Sequence, residues 1–106
     1  MQYLVRLTER ALRDLEAIHE FIEADSSESA FAWFNALAEA IYRLERLPER
    51  GAIITKDAKL RHLLFGKRPN TYRIIYALDK RKSVVTILHI RHGARGPLST
   101  EPEERQ

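Results

Sequence analysis

The sequence predicts an α+β fold: a helical hairpin packed on a small antiparallel sheet, in the order β-α-α-β-β-β. Three observations predict it. Two consecutive stretches of the first half repeat apolar residues at spacings of three and four, the period of one helical face. The second half holds short runs rich in aromatic and β-branched residues. Two of those runs are joined by a short polar turn, which makes them a hairpin. At 106 residues with 44% hydrophobic and 31% charged composition, the chain is long enough for one domain with a modest core.

Tyr3 to Leu7 ("YLVRL") is short and partly alternating, a first strand. Thr8 can cap the helix that follows, because its hydroxyl can accept from an orphan backbone N–H. From Glu9 to about Ala24, Leu12, Leu15, Ile18 and Ile22 fall on one face with Ala11 beside them, while most acidic residues fall elsewhere. "DSSES" (Asp25 to Ser29) interrupts the pattern with cap and turn residues. A second helix from about Glu28 to Arg46 carries Phe31, Phe34, Leu37, Ile41 and Leu44 at the same spacing. Pro48 ends it, since proline lacks an N–H and disfavours helical geometry in the residue before it.

Glu49 to Lys59 is a loop with extended structure around Ile53. Leu60 to Phe65, Asn70 to Asp79 and Ser83 to Arg91 are the remaining strands, with Lys80 to Lys82 as the hairpin turn. Gly93, Gly96 and Pro97 stop regular structure. A single domain over residues 1–97 is expected, followed by a polar, disordered tail over 98–106. The first strand is expected beside the later ones, where its edge groups find partners.

Composition excludes several classes. Without cysteine there is no disulfide and no thiolate metal site. No apolar run approaches the roughly 20 residues of a membrane span, and the first ten residues lack a signal-peptide core. A cytoplasmic protein without membrane contact is the expectation. Charge is segregated: residues 1–50 carry six Lys/Arg against ten Asp/Glu, whereas Lys56 to Arg95 carries eleven against two. That basic half suggests an acidic partner or a nucleic-acid backbone, against the plainer reading that short strands expose cations for solubility.

The cations mark the candidate site. Arg73 sits inside an apolar strand, where an unpaired guanidinium cannot be fully buried. It must reach solvent, an internal carboxylate or a bound anion. Strict alternation would place Val85, Ile87, His89 and Arg91 on one face of the last strand. Arg91, His92 and Arg95 cluster at its exit, and Arg61, Lys67 and Arg68 come from the neighbouring strand and its exit loop. Arginine's planar fork matches phosphate or carboxylate oxygens. His92 can exchange protons near neutral pH, although a surface histidine with no such role reads the same in sequence. His89 and His92 make a poor metal pair, three apart on a strand with no third ligand nearby. No phosphate loop, nucleophile elbow or zinc-protease motif is present, and no cofactor is expected.

The stretch "LRHLLFGKRPNTYRIIYALDKRKSVVTILHIRHGAR" resembles the carboxy-terminal half of the RelE/ParE superfamily of toxins from type II toxin–antitoxin pairs. The strand Tyr72-Arg73-Ile74-Ile75-Tyr76 is a hallmark of many members, and the closing His92-Gly93-Ala94-Arg95 is similar to the ParE-like branch. Together with the helical hairpin and the Pro48 break, the resemblance covers residues 2–97. It implies a growth-arresting toxin neutralised by a cognate antitoxin. It also implies one of two targets: DNA gyrase for ParE-like members, or messenger RNA on the ribosome for RelE-like ones, which act as endoribonucleases. If RelE-like, Arg73 matches the strand arginine that contacts the scissile phosphate, with Arg91 and His92 completing a catalytic set. Lys56 and Lys59 lie where such members supply catalytic lysines. The tyrosine that RelE-like members carry near the carboxy terminus has no counterpart after Tyr76. That absence and the closing motif tilt the resemblance towards gyrase. A non-toxic basic binding domain is the remaining alternative.

Overall fold

The computed structural model describes residues 2–25, 27–56, 58–66 and 71–92. Strand β1 (Leu4–Leu7) leads into α1 (Glu9–Asp25) and α2 (Glu28–Tyr42), which continues as a 3₁₀ turn over Arg43–Glu45. Four strands follow: β2 (Ala52–Ile53), β3 (Leu60–Phe65), β4 (Tyr72–Asp79) and β5 (Val84–His92). They form one sheet in the order β1-β5-β4-β3-β2. The layer arrangement agrees with the sequence expectation. Two details are added: the extended structure at Ile53 is a two-residue edge strand, and β1 runs parallel to β5, so the sheet is mixed. The other neighbours are antiparallel.

Local chemistry sets the helix ends. Thr8 Oγ1 accepts from Ala11 N at 3.1 Å and donates to Leu88 O at 3.1 Å, so one side chain caps α1 and ties it to β5. Ser27 Oγ accepts from Ala30 N at 3.1 Å at the start of α2. Ser27→Ala should therefore cost about 1 kcal/mol, read as a lower urea midpoint with an unchanged slope. An unchanged midpoint would show that the cap contributes nothing.

The core lies between the helices and one face of the sheet. Leu37, Ile41 and Leu44 from the α2 region meet Ile74, Tyr76, Val85 and Ile87 from the sheet, all essentially inaccessible. Trp33 packs its ring 5.4 Å from both Phe65 and Tyr72. Leu12 departs from its expected core role and is 49% exposed, since α1 buries Ala11, Ile18 and Ile22 instead. No helix among the described residues is long and apolar enough to cross a membrane.

Strict alternation fails in β5. Ile75 pairs with His89 but Tyr76 pairs with Ile87, so Leu88 is an extra residue, a β-bulge. An added residue reverses the parity of everything beyond it. Val85 and Ile87 face the core before the bulge; Ile90, 3% exposed, faces it afterwards. Arg91 therefore does not share a face with Val85 and Ile87, and the expected grouping is corrected. His89 leaves that grouping too. Its Nδ1 lies 2.9 Å from Asp14 Oδ2, which also accepts from Ile90 N at 2.9 Å. Because β1 ends at Leu7, Asp14 of α1 takes over the outer edge of β5 where the sheet partner stops.

Candidate anion site on the open sheet face

Residues directly opposite on adjacent strands share a face. Phe65, Tyr72 and His92 are successive partners across β3, β4 and β5 and lie on the helix side; Tyr72 contacts His92 edge-on with ring centroids 5.1 Å apart. The next row is Leu64, Arg73 and Arg91, which lies on the opposite, open face. His62 pairs with Ile75 and belongs to that open face by the same parity.

The structure thus sorts the cations predicted from sequence into separate places. Arg73 and Arg91 come together, directly opposite one another. His92 does not join them: the bulge sends it through to the helix side. Arg61 is on the helix side as well, 8% exposed, with Nη1 donating to Glu49 O at 3.1 Å and Gly51 O at 3.0 Å. It holds the loop after Pro48 rather than a ligand. Lys56 and Lys59 are exposed in the β2–β3 connection. Lys59 precedes Leu60, the partner of Ala77, roughly 17 Å along β3 from the Arg73 row at about 3.3 Å per residue. There it borders a shallow cavity of about 910 Å³ with Lys80, Arg81 and Lys82 of the hairpin. Lys67, Arg68 and Arg95, and the expected tail over 98–106, lie outside the described residues.

Arg73 is 9% exposed. Among the described residues no carboxylate pairs with it. Burial and the neighbouring Arg91 charge both push its pKa down. Sequence reasoning missed His62. Its Nδ1 is buried and has no hydrogen-bond partner among the described residues. Burial, and then the Arg73 charge, hold its imidazole below the usual histidine range. Two guanidiniums and a neutral imidazole on one face form a site that can bind an oxyanion and exchange a proton with it.

The His62 shift has a consequence for stability. An unfolded histidine titrates near pH 6.5, and the folded value lies below that. Between the two the unfolded chain binds more protons, so stability rises with pH. This contribution is complete above about pH 6.5 and is lost as pH falls through the folded value. In His62→Gln the corresponding part of the pH slope should vanish, as read from urea midpoints measured at several pH values. Equal slopes in both proteins would contradict the shift.

Comparison with known proteins decides the family. Residues 5–97 match the family described as ParE toxin of type II toxin-antitoxin system, parDE. The chain belongs to the ParE toxin family. Solved structures agree on the fold. This ParE-family chain superposes on a toxin–antitoxin complex of Mycobacterium tuberculosis, RelBE2, with a TM-score of 0.59 at 25% identity, covering 88% of this chain and 100% of that one. It superposes on the chromosomal ParDE system of P. aeruginosa with a TM-score of 0.63 at 18% identity, covering 86% and 96%. The intact RelBE toxin–antitoxin complex of E. coli gives 0.55 at 17% identity, covering 88% and 99%. No curated protein matches.

Proposed function

We propose that this ParE-family toxin arrests growth by inhibiting DNA gyrase, and that a cognate antitoxin holds it inactive. The observation that carries this reading over an endoribonuclease is the bulge in β5. It separates His92 from Arg73 and Arg91 by the thickness of the sheet. The catalytic set implied by RelE-like members therefore does not converge, while the match over residues 5–97 is to the ParE family. The charge distribution supports an acidic antitoxin segment on the sheet side, since the helices carry most of the acidic residues.

The test is expression of the toxin without antitoxin, scoring plasmid supercoiling and messenger RNA ends in the same cells. Loss of supercoiling with unaltered RNA ends is the expected result. New RNA ends with fully supercoiled plasmid would replace this reading by the ribonuclease one. Unchanged growth with neither effect would leave only a non-toxic binding domain.

A further inference from the structure

We propose that the β4–β5 hairpin end of the sheet is a binding site for a polyphosphate chain, as carried by a nucleoside triphosphate or by inorganic triphosphate. The site lies at the other end of the strands from Arg73 and is independent of the gyrase reading. Three observations carry it. The first is the hollow of about 910 Å³ beside the hairpin, within the roughly 300–1,000 Å³ of small-ligand sites. Its floor is low because two small residues, Ala77 and Thr86, stand opposite one another there. The second is its charge. Lys59, Lys80, Arg81 and Lys82 line it against one acid, Asp79. That acid is engaged in the turn, where Asp79 Oδ1 accepts from Lys82 N at 3.0 Å. The third is that Arg81 and Lys82 have no side-chain partner among the described residues, whereas Lys80 pairs with Glu49.

The frame around the hollow is tied down. Leu78 N donates to Lys59 O at 2.7 Å, which fastens the β2–β3 connection to β4. On the far side Arg6 is the β1 partner of Thr86. Val5 and Leu7 pack on the core, so Arg6 projects from the same face as Thr86. Cations therefore stand on more than one side of a single floor, an arrangement that suits a chain of several charges better than one carboxylate. Lysine meets phosphate as a point charge, and arginine's fork takes two of its oxygens. Among the described residues no aromatic ring lines the hollow. A base finds no stacking platform there, so the phosphates carry the recognition. The convex backbone of a duplex would touch the rim and leave the floor empty.

The experiment titrates the full-length chain by calorimetry at fixed ionic strength. The probes are inorganic triphosphate, ATP, AMP, citrate and a short DNA duplex. Saturable binding of inorganic triphosphate and ATP at one site is expected, with AMP and citrate at least about tenfold weaker. Equal affinity for the first two identifies the phosphate chain alone as the ligand; tighter binding of ATP adds its nucleoside. Arg81→Gln and Lys82→Gln should each weaken binding about ten- to a hundredfold. Ala77→Leu fills the floor without changing charge and should weaken it about tenfold or more. Arg13→Gln, on α1 and with the same change of charge as Arg81→Gln, should bind as the parent does. Equal weakening by Arg13→Gln, or parent affinity in Ala77→Leu, would mean diffuse attraction and overturn the proposal. So would citrate binding as tightly as triphosphate, the duplex binding more tightly than triphosphate, or no saturable binding of triphosphate or ATP.

Discussion

Gly51→Ala should destabilise the folded chain by about 3–5 kcal/mol. A Cβ built at Gly51 would stand 2.7 Å from the His62 carbonyl oxygen and 2.7 Å from Tyr76 Oη. Neither neighbour can easily give way. The carbonyl belongs to the backbone of β3, and the Tyr76 hydroxyl accepts from Gly51 N at 2.9 Å and donates to Pro48 O at 2.7 Å. Relieving the clash means moving the loop, and Arg61 holds that loop through the carbonyls of Glu49 and Gly51. Overpacking costs about 1–3 kcal/mol; each buried group left unsatisfied adds about 1–3 kcal/mol more. Against a total stability of about 5–15 kcal/mol, that is a large fraction. Tyr76→Phe removes the hydroxyl and its two bonds but not the His62 carbonyl. Because both variants act on the same contacts, the double variant should cost less than the sum of the singles. Urea denaturation of all four proteins checks this. A Gly51→Ala midpoint close to the parent's would show that the loop yields freely.

That loop also shows where sequence reasoning stops. The helices were legible because period, cap chemistry and a terminating proline agree: Thr8 and Ser27 cap as their side chains allow. The second helix is shorter than its apolar period suggests, since the chain tightens into a 3₁₀ turn at Arg43. Strand existence was legible from composition; strand facing was not. "VVTILHIR" contains no glycine or proline to mark a bulge. The bulge is held from outside, by Thr8 on the Leu88 carbonyl and Asp14 on the Ile90 amide. Those contacts span 80 and 76 residues, so no local pattern could disclose them. The same limit governs the site. Arg61 reads in sequence as another free cation, because its partners are main-chain carbonyls that no side-chain motif encodes. His62 did leave a signal: in "LRHLLF" its parity opposes Leu63 and Phe65, which pack on the core. What the sequence lacked was the register pairing it with Ile75, one pleat from Arg73.

Arg73→Met should raise stability and weaken growth arrest together. Methionine keeps the unbranched stem that packs within the strand and removes the charge that faces Arg91. Like charges directly opposite across a sheet cost about 0.2–1 kcal/mol. Removing one should raise the melting temperature by about 1–5 °C in a domain of this size. The depressed pKa of Arg73 has the same origin, burial first and Arg91 second, so the folded chain is charged there at a cost. A purely structural arginine would behave in the opposite way: its removal would strand a partner and lower the melting temperature. Arrest, in contrast, should require about ten- to a hundredfold more toxin, the loss that follows one charge-assisted contact. Thermal unfolding of Arg73→Met and the parent, with induction dose for arrest measured beside it, separates the possibilities. A lower melting temperature in Arg73→Met would show that the guanidinium serves the fold. Arrest at the parent's dose would show that the open face takes no part in toxicity.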